Sequence, residues 1–211
     1  MHNTGVLLSE VLTGYVNGKP VDSELWQSLD ESERSWLAHA MVAAKTKTME
    51  VRICDYDPEW PHLFSRIECE LREHVGTLAV AIEHVGSTSV PGLAAKPIID
   101  IDIVIASAYQ FPSIKERLEK FGYIHEGPLG LLGREAFRCA IDLPVHHLYV
   151  CESGARPLQE HLCFRDILRQ SPELAAEYAV LKRNLAEQHR NDRDAYTEAK
   201  TGFIRSVLAR S

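Results

Sequence analysis

The run IIDIDIVI, from Ile98 to Ile105, is too short and too β-branched for a helix and reads as a strand. Side chains alternate along a strand, so Asp100 and Asp102 share one face while Ile99, Ile101 and Ile103 share the other. Burying two like charges costs several kcal/mol unless cations answer them. Lys96 or Arg134 could neutralise the pair, but a divalent ion is the more efficient answer: Mg²⁺ (or Mn²⁺) takes carboxylate oxygens and keeps water and substrate phosphate in its remaining positions. Two aspartates kept for an ion repel each other when it is absent. A neutral isostere at Asp102 is therefore expected to hold or raise stability without metal.

A second short strand, LAVAIEHV from Leu78 to Val85, delivers the chain to the turn Gly86-Ser87-Thr88. Glycine lets backbone amides approach a phosphate, a helix start after it would aim its positive end there, and the Ser87 hydroxyl adds a donor. The turn is neither a P-loop, for GSTSVPG has no Gly-Lys-Ser/Thr, nor a G-x-S-x-G nucleophile elbow. Turn and carboxylate pair together suit metal-assisted phosphoryl or nucleotidyl transfer.

Around this unit the chain is mostly helical. Asp57-Pro58-Glu59 starts a helix to about Val75, closed by Gly76; Ser113 and Glu116 form a capping box for a helix ending at Gly122; Ser171-Pro172-Glu173 starts another. RNDRD interrupts that helix, and a last one carries Tyr196, Lys200, Phe203 and Ile204. RCAIDL and HHLYVC read as strands. Residues 1–49 read as a helical N-terminal extension and 50–211 as the main domain. In the extension, Val6, Leu7, Val11 and Leu12 form one apolar stripe and Trp26, Leu29, Trp36, Leu37 and Met41 another, separated by Gly14, Gly18 and Pro20. These stripes suit packing on the main domain or a homo-oligomer contact.

The formal charge of −7 argues against broad contact with nucleic acid or anionic membrane. No apolar run approaches a membrane span, and the five cysteines include no CxxC pair, so a soluble cytoplasmic protein with reduced thiols is expected.

The segments DYDPEW, HVGSTSVPGLAAKPIIDIDIV, GLLGREAF, HHLYV, LCFRDILRQSPELAAEYAVLK and YTEAKTGFI, in this order, resemble the GrpB family from Asp55 to Ile204. That family is similar to the nucleotidyltransferase superfamily, with its Gly-Ser turn at a strand end and paired acids on the next strand. The resemblance implies an α/β (α+β) fold: a nucleotidyltransferase-like mixed sheet flanked by helices, with a helical C-terminal region. It implies transfer of a nucleoside monophosphate from a nucleoside triphosphate to an unknown small-molecule or protein acceptor. Asp100 and Asp102 would be catalytic and hold the metal. Gly86, Ser87, Thr88, Lys96, Arg134 and Arg165 would bind the nucleotide phosphates, with His147, Tyr149 and Lys200 as further substrate or metal contacts. In place of the family's His-Leu-His-Val the chain has His147-Leu148-Tyr149-Val150. The third carboxylate of active transferases has no clear counterpart; Asp142 and Glu152 lie nearest. Arg165 could instead pair internally with a carboxylate. The alternative function is a non-catalytic nucleotide-binding or folding-accessory module, like GrpB domains fused to dephospho-CoA kinase.

Overall fold

The computed structural model describes residues 8, 10–12, 14, 21–43, 50–141 and 143–210. Val6, Leu7, Gly18, Pro20 and Asp142 lie outside the described residues. Five strands form one mixed sheet: β1 (Ala81–Val85), β2 (Ile99–Ile105), β3 (Tyr123–Gly127), β4 (Arg134–Cys139) and β5 (His146–Glu152). Their spatial order is β1-β2-β5-β4-β3. Only β2 and β5 run parallel; every other neighbouring pair is antiparallel. The parallel register sets Asp100 opposite His147 and Asp102 opposite Tyr149.

Eight helices are described: α1 (Ser23–Ser28), α2 (Glu31–Ala43), α3 (Trp60–Val75), α4 (Phe111–Phe121), α5 (Arg156–Gln170), α6 (Pro172–Gln188), α7 (Arg193–Ala199) and α8 (Thr201–Leu208). The isoleucine face of β2 packs into the main core with Trp60, Ile67 and Leu71 of α3 and Ile114 and Leu118 of α4. The opposite face meets α5, where Leu158 packs against Val104 and Cys151. Alternation on β2 thus assigns one layer of helices to apolar packing and the other to the charged face.

Trp26, Leu29, Leu37 and Met41 of the N-terminal segment are buried in the same core as β2. The Trp26 indole donates to Glu119 O at 3.0 Å. Trp36 does not follow the expected stripe; it is half-exposed.

Several expected boundaries move. The α3 helix begins at Trp60, with the Asp57 carboxylate accepting from the Glu59 amide at 2.9 Å, so Asp57-Pro58-Glu59 is a turn before the helix. The capping box lies at Ser107 and Gln110, ahead of α4, whereas Glu116 pairs with Lys120 one turn on. RCAIDL is only partly a strand: β4 runs Arg134–Cys139 and ends inside that segment. The expected last helix is two, with Lys200 at their junction. Gly76 and Gly122 do close α3 and α4, and Ser171 caps α6 by accepting from the Leu174 amide at 3.3 Å.

His146 turns away from His147, as alternation on β5 requires. Its Nδ1 donates to Pro144 O at 2.6 Å, so Nε2 accepts from the Tyr123 hydroxyl at 2.7 Å. Burial pushes His146 down to about 4 from 6.5, and His84 likewise. Between those values the unfolded chain binds protons that the fold refuses, so stability falls as pH drops from 6.5 toward 4. His146→Asn is expected to make the acid limb of a circular-dichroism titration shallower. An unchanged limb would mean that His146 does not carry it.

Candidate functional site

The Gly86-Ser87-Thr88 turn follows β1 and forms a single 3₁₀ turn over Ser87–Ser89, not the start of a longer helix. No helix dipole points at a ligand here; the turn is instead braced from behind. His84 Nε2 bonds to the Thr88 hydroxyl at 3.0 Å, and that hydroxyl donates to Ile98 O at 3.3 Å. Arg169 on α5 donates twice to Ser89 O, at 3.0 and 2.8 Å. Arg165 donates to His84 O at 3.1 Å and pairs with Glu83 and Asp166. Gly86 has φ +69 and ψ −171, a conformation open in practice only to glycine. A Cβ there would lie 2.2 Å from Asp100 Oδ2, so turn and carboxylate are in close contact.

Each aspartate is answered by an imidazole, not by Lys96 or Arg134. His147 Nδ1 donates to Asp100 Oδ1 at 2.8 Å, and His161 Nδ1 donates to Asp102 Oδ2 at 2.7 Å. An arginine only donates, so His147 Nε2 accepts from Arg193 at 3.1 Å and both its ring nitrogens are engaged. Burial would raise the Asp100 carboxyl, but the hydrogen bond from His147 and the charges of His161 and Lys200 outweigh it and hold the group low. Burial would lower His161; the Asp102 hydrogen bond and charge, with Asp100 behind, raise it instead. Asp102 is fully buried, and its Oδ1 has no hydrogen-bond partner among the described residues.

Asp100 opens onto a cavity of about 320 Å³, whose wall includes Gly86, Ser87, Thr88, Lys96, Arg134, His147, Tyr149 and Lys200. The structure thus gathers nine of the eleven expected residues. Asp102 sits behind the wall, and Arg165 lies outside it, in the internal ion pairs already described. Glu152 is exposed at the end of β5. Sequence reasoning missed His161, Lys182 and Arg193, all on the wall. Lys182 is 2 % exposed; it donates to the Ser87 hydroxyl at 2.9 Å and to Ala94 O. Burial, then repulsion from Lys200, pushes Lys182 down to about 7, and the same two causes take Lys96 to about 8.

The profile of the GrpB protein family matches residues 50–210. The chain belongs to the GrpB family. It is 35% identical over 164 residues to the glutamate-rich protein GrpB of Alkalihalophilus pseudofirmus, covering 75% of this chain and 94% of that one. Identity to protein YqkA of Bacillus subtilis is 37% over 158 residues, 75% of this chain but only 46% of that protein. The crystal structure of the conserved protein GrpB from Enterococcus faecalis superposes with a TM-score of 0.69 at 32% identity, covering 75% of this chain and 96% of the other. A dephospho-CoA kinase of Mycolicibacterium paratuberculosis is 28% identical over 199 residues, 49% of its length. The five-stranded mixed sheet and its helical layers are therefore a GrpB fold. No helix among the described residues is long and apolar enough to cross a membrane.

Proposed function

We propose that this GrpB protein is a metal-dependent nucleotidyltransferase acting on a nucleoside triphosphate and a small-molecule or protein acceptor. The carrying observation is the contact of the Gly86-Ser87 turn with Asp100 at the mouth of a cation-lined pocket. In the reaction the acceptor hydroxyl loses its proton to solvent, its oxygen bonds to the α-phosphorus, the α–β phosphoanhydride breaks and pyrophosphate leaves. Ser87 offers its hydroxyl proton to phosphate because Lys182 already donates to its oxygen. Lys96, Arg134 and Lys200 balance the charge of the phosphate chain.

The residues present fit a divalent ion in part. Among the described residues no cluster of three or more His, Cys, Asp or Glu is arranged to hold one. Yet Mg²⁺ commonly needs only one or two carboxylates beside water and phosphate, and the unpartnered Asp102 Oδ1 is a buried oxygen that a cation would satisfy. Asp100 and Asp102 would hold the ion, and Mg²⁺ or Mn²⁺ would supply charge neutralisation at the reacting phosphate.

The second reading is nucleotide binding without turnover, as an accessory module. It is favoured by a described pocket wall whose one carboxylate is Asp100, and by the similarity to part of a dephospho-CoA kinase. Pyrophosphate release with Mg²⁺, each of the four triphosphates and cell extract as acceptor source separates the two. Transfer predicts release that Asp100→Asn lowers by about 10²–10³-fold. Triphosphate binding without release selects the accessory reading.

A further inference from the structure

The pocket is far more basic than the chain that builds it. Lys96, Arg134, Lys182, Arg193 and Lys200 line it against the single carboxylate of Asp100. Among the described residues, none of these five cations forms a salt bridge with a carboxylate. Their partners are neutral. Lys182 donates to a hydroxyl and a carbonyl, and Arg193 to an imidazole. Lys96 and Lys200 lie over the Tyr196 ring at 4.4 and 4.5 Å from its centre, and Arg134 over Tyr149 at 4.2 Å. The Arg134 Nε is buried with no acceptor among the described residues. A buried lysine without a counter-charge is costly unless a ligand brings the anion.

Among the described residues, the same contacts leave nothing to read a nucleobase. A base slot needs an open aromatic face or an apolar cleft with polar groups set at its edge. Tyr196 is 1 % exposed and already covered by two lysines, and the Tyr149 ring carries a guanidinium. Of the described apolar residues on the wall, Val85 and Ala95 are buried, leaving Ile98 as the sole partly open aliphatic side chain among them.

We propose that the pocket selects its ligand by the phosphate chain alone, with Lys182 anchoring that chain at Ser87, and is blind to the base. This rests on the triphosphate-binding reading above and names its substrate class: any linear polyphosphate of triphosphate length, with or without a nucleoside attached.

Calorimetric titration of the full chain in Mg²⁺ buffer with ATP, GTP, CTP, UTP, inorganic tripolyphosphate and adenosine tests it. The four nucleotides are expected to bind within about threefold of one another and tripolyphosphate within about tenfold, while adenosine does not bind. Lys182→Met should weaken all five phosphate ligands by at least about tenfold and to the same extent. Arg193→Gln, at an exposed position on the wall, should also weaken all five together. A preference of tenfold or more for one base, or failure of tripolyphosphate to displace ATP, overturns the inference and leaves nucleotidyl transfer standing. Tripolyphosphate binding without pyrophosphate release from any triphosphate upholds the inference and removes the transfer reading. If no phosphate ligand binds, both are wrong.

Discussion

Gly86→Ala is expected to lower the melting temperature by roughly 5–20 °C and to abolish triphosphate binding. The alanine Cβ would sit 2.2 Å from Asp100 Oδ2, 2.8 Å from its Cγ and 2.9 Å from its Cβ. None of these atoms is the free end of a long side chain. Asp100 is held on β2 by His147, and the turn is held by Arg165, Arg169 and Lys182. Forcing a methyl group into a packed site costs about 1–3 kcal/mol. The backbone conformation adds about 1–3 kcal/mol for any residue but glycine. The sum, about 2–6 kcal/mol, is relieved only by moving the turn away from Asp100, which dismantles the proposed site. Thermal melts with and without Mg²⁺ and ATP read both effects. A variant that melts like the wild type and still gains stability from the ligands would show that the turn moves freely, and the close contact would not be what defines the site.

The centre of the site was legible in the sequence because local rules govern it. Alternation puts Asp100 and Asp102 on one face of β2, and β-branched content marks that strand against the surrounding helices. Strand β3 was not legible, and β4 only in part, because YIHEG and REAFRC carry charges that strands rarely hold. Tertiary partners answer those charges: His125 meets Glu135 at 2.7 Å and Arg138 meets Glu126 at 3.1 Å. The missing site residues were hidden by distance along the chain. His161 lies 59 residues from Asp102, and Lys182 lies 95 from Ser87. A signal for Lys182 was nevertheless present: it falls four residues after Tyr178 and three before Leu185, on the apolar stripe of α6. A lysine on a buried face needs an explanation, and the Ser87 hydroxyl is part of it. His161 follows the same logic, three residues after Leu158 on the face of α5 turned to the sheet. Arg165, by contrast, carries no such signal in its own segment, and its position four residues after His161 places it against Glu83 and the backbone behind the turn.

Asp102→Asn is expected to lower stability by about 3 kcal/mol in metal-free buffer, opposite in sign to the expectation from two unanswered carboxylates. Two effects compete. Same-face neighbours on a strand lie roughly 6–7 Å apart, so removing one charge relieves a repulsion of about 2–3 kcal/mol at an effective dielectric constant near 20. Against it stands the His161 pair at 2.7 Å, whose attraction at closer charge separation is about 4 kcal/mol on the same scale. The amide also places an NH₂ group where the buried Oδ1 had no partner, adding about 1–3 kcal/mol if it finds no acceptor. Loss exceeds relief because the second aspartate already has its own imidazole, His147. The stabilisation gained from Mg²⁺ and ATP then decides what Asp102 is for. If it helps to hold the ion, the variant loses that gain as well as its metal-free stability. A variant that melts lower without metal but gains as much as the wild type from Mg²⁺ and ATP would leave Asp102 as a strut for His161 and remove it from the metal pair.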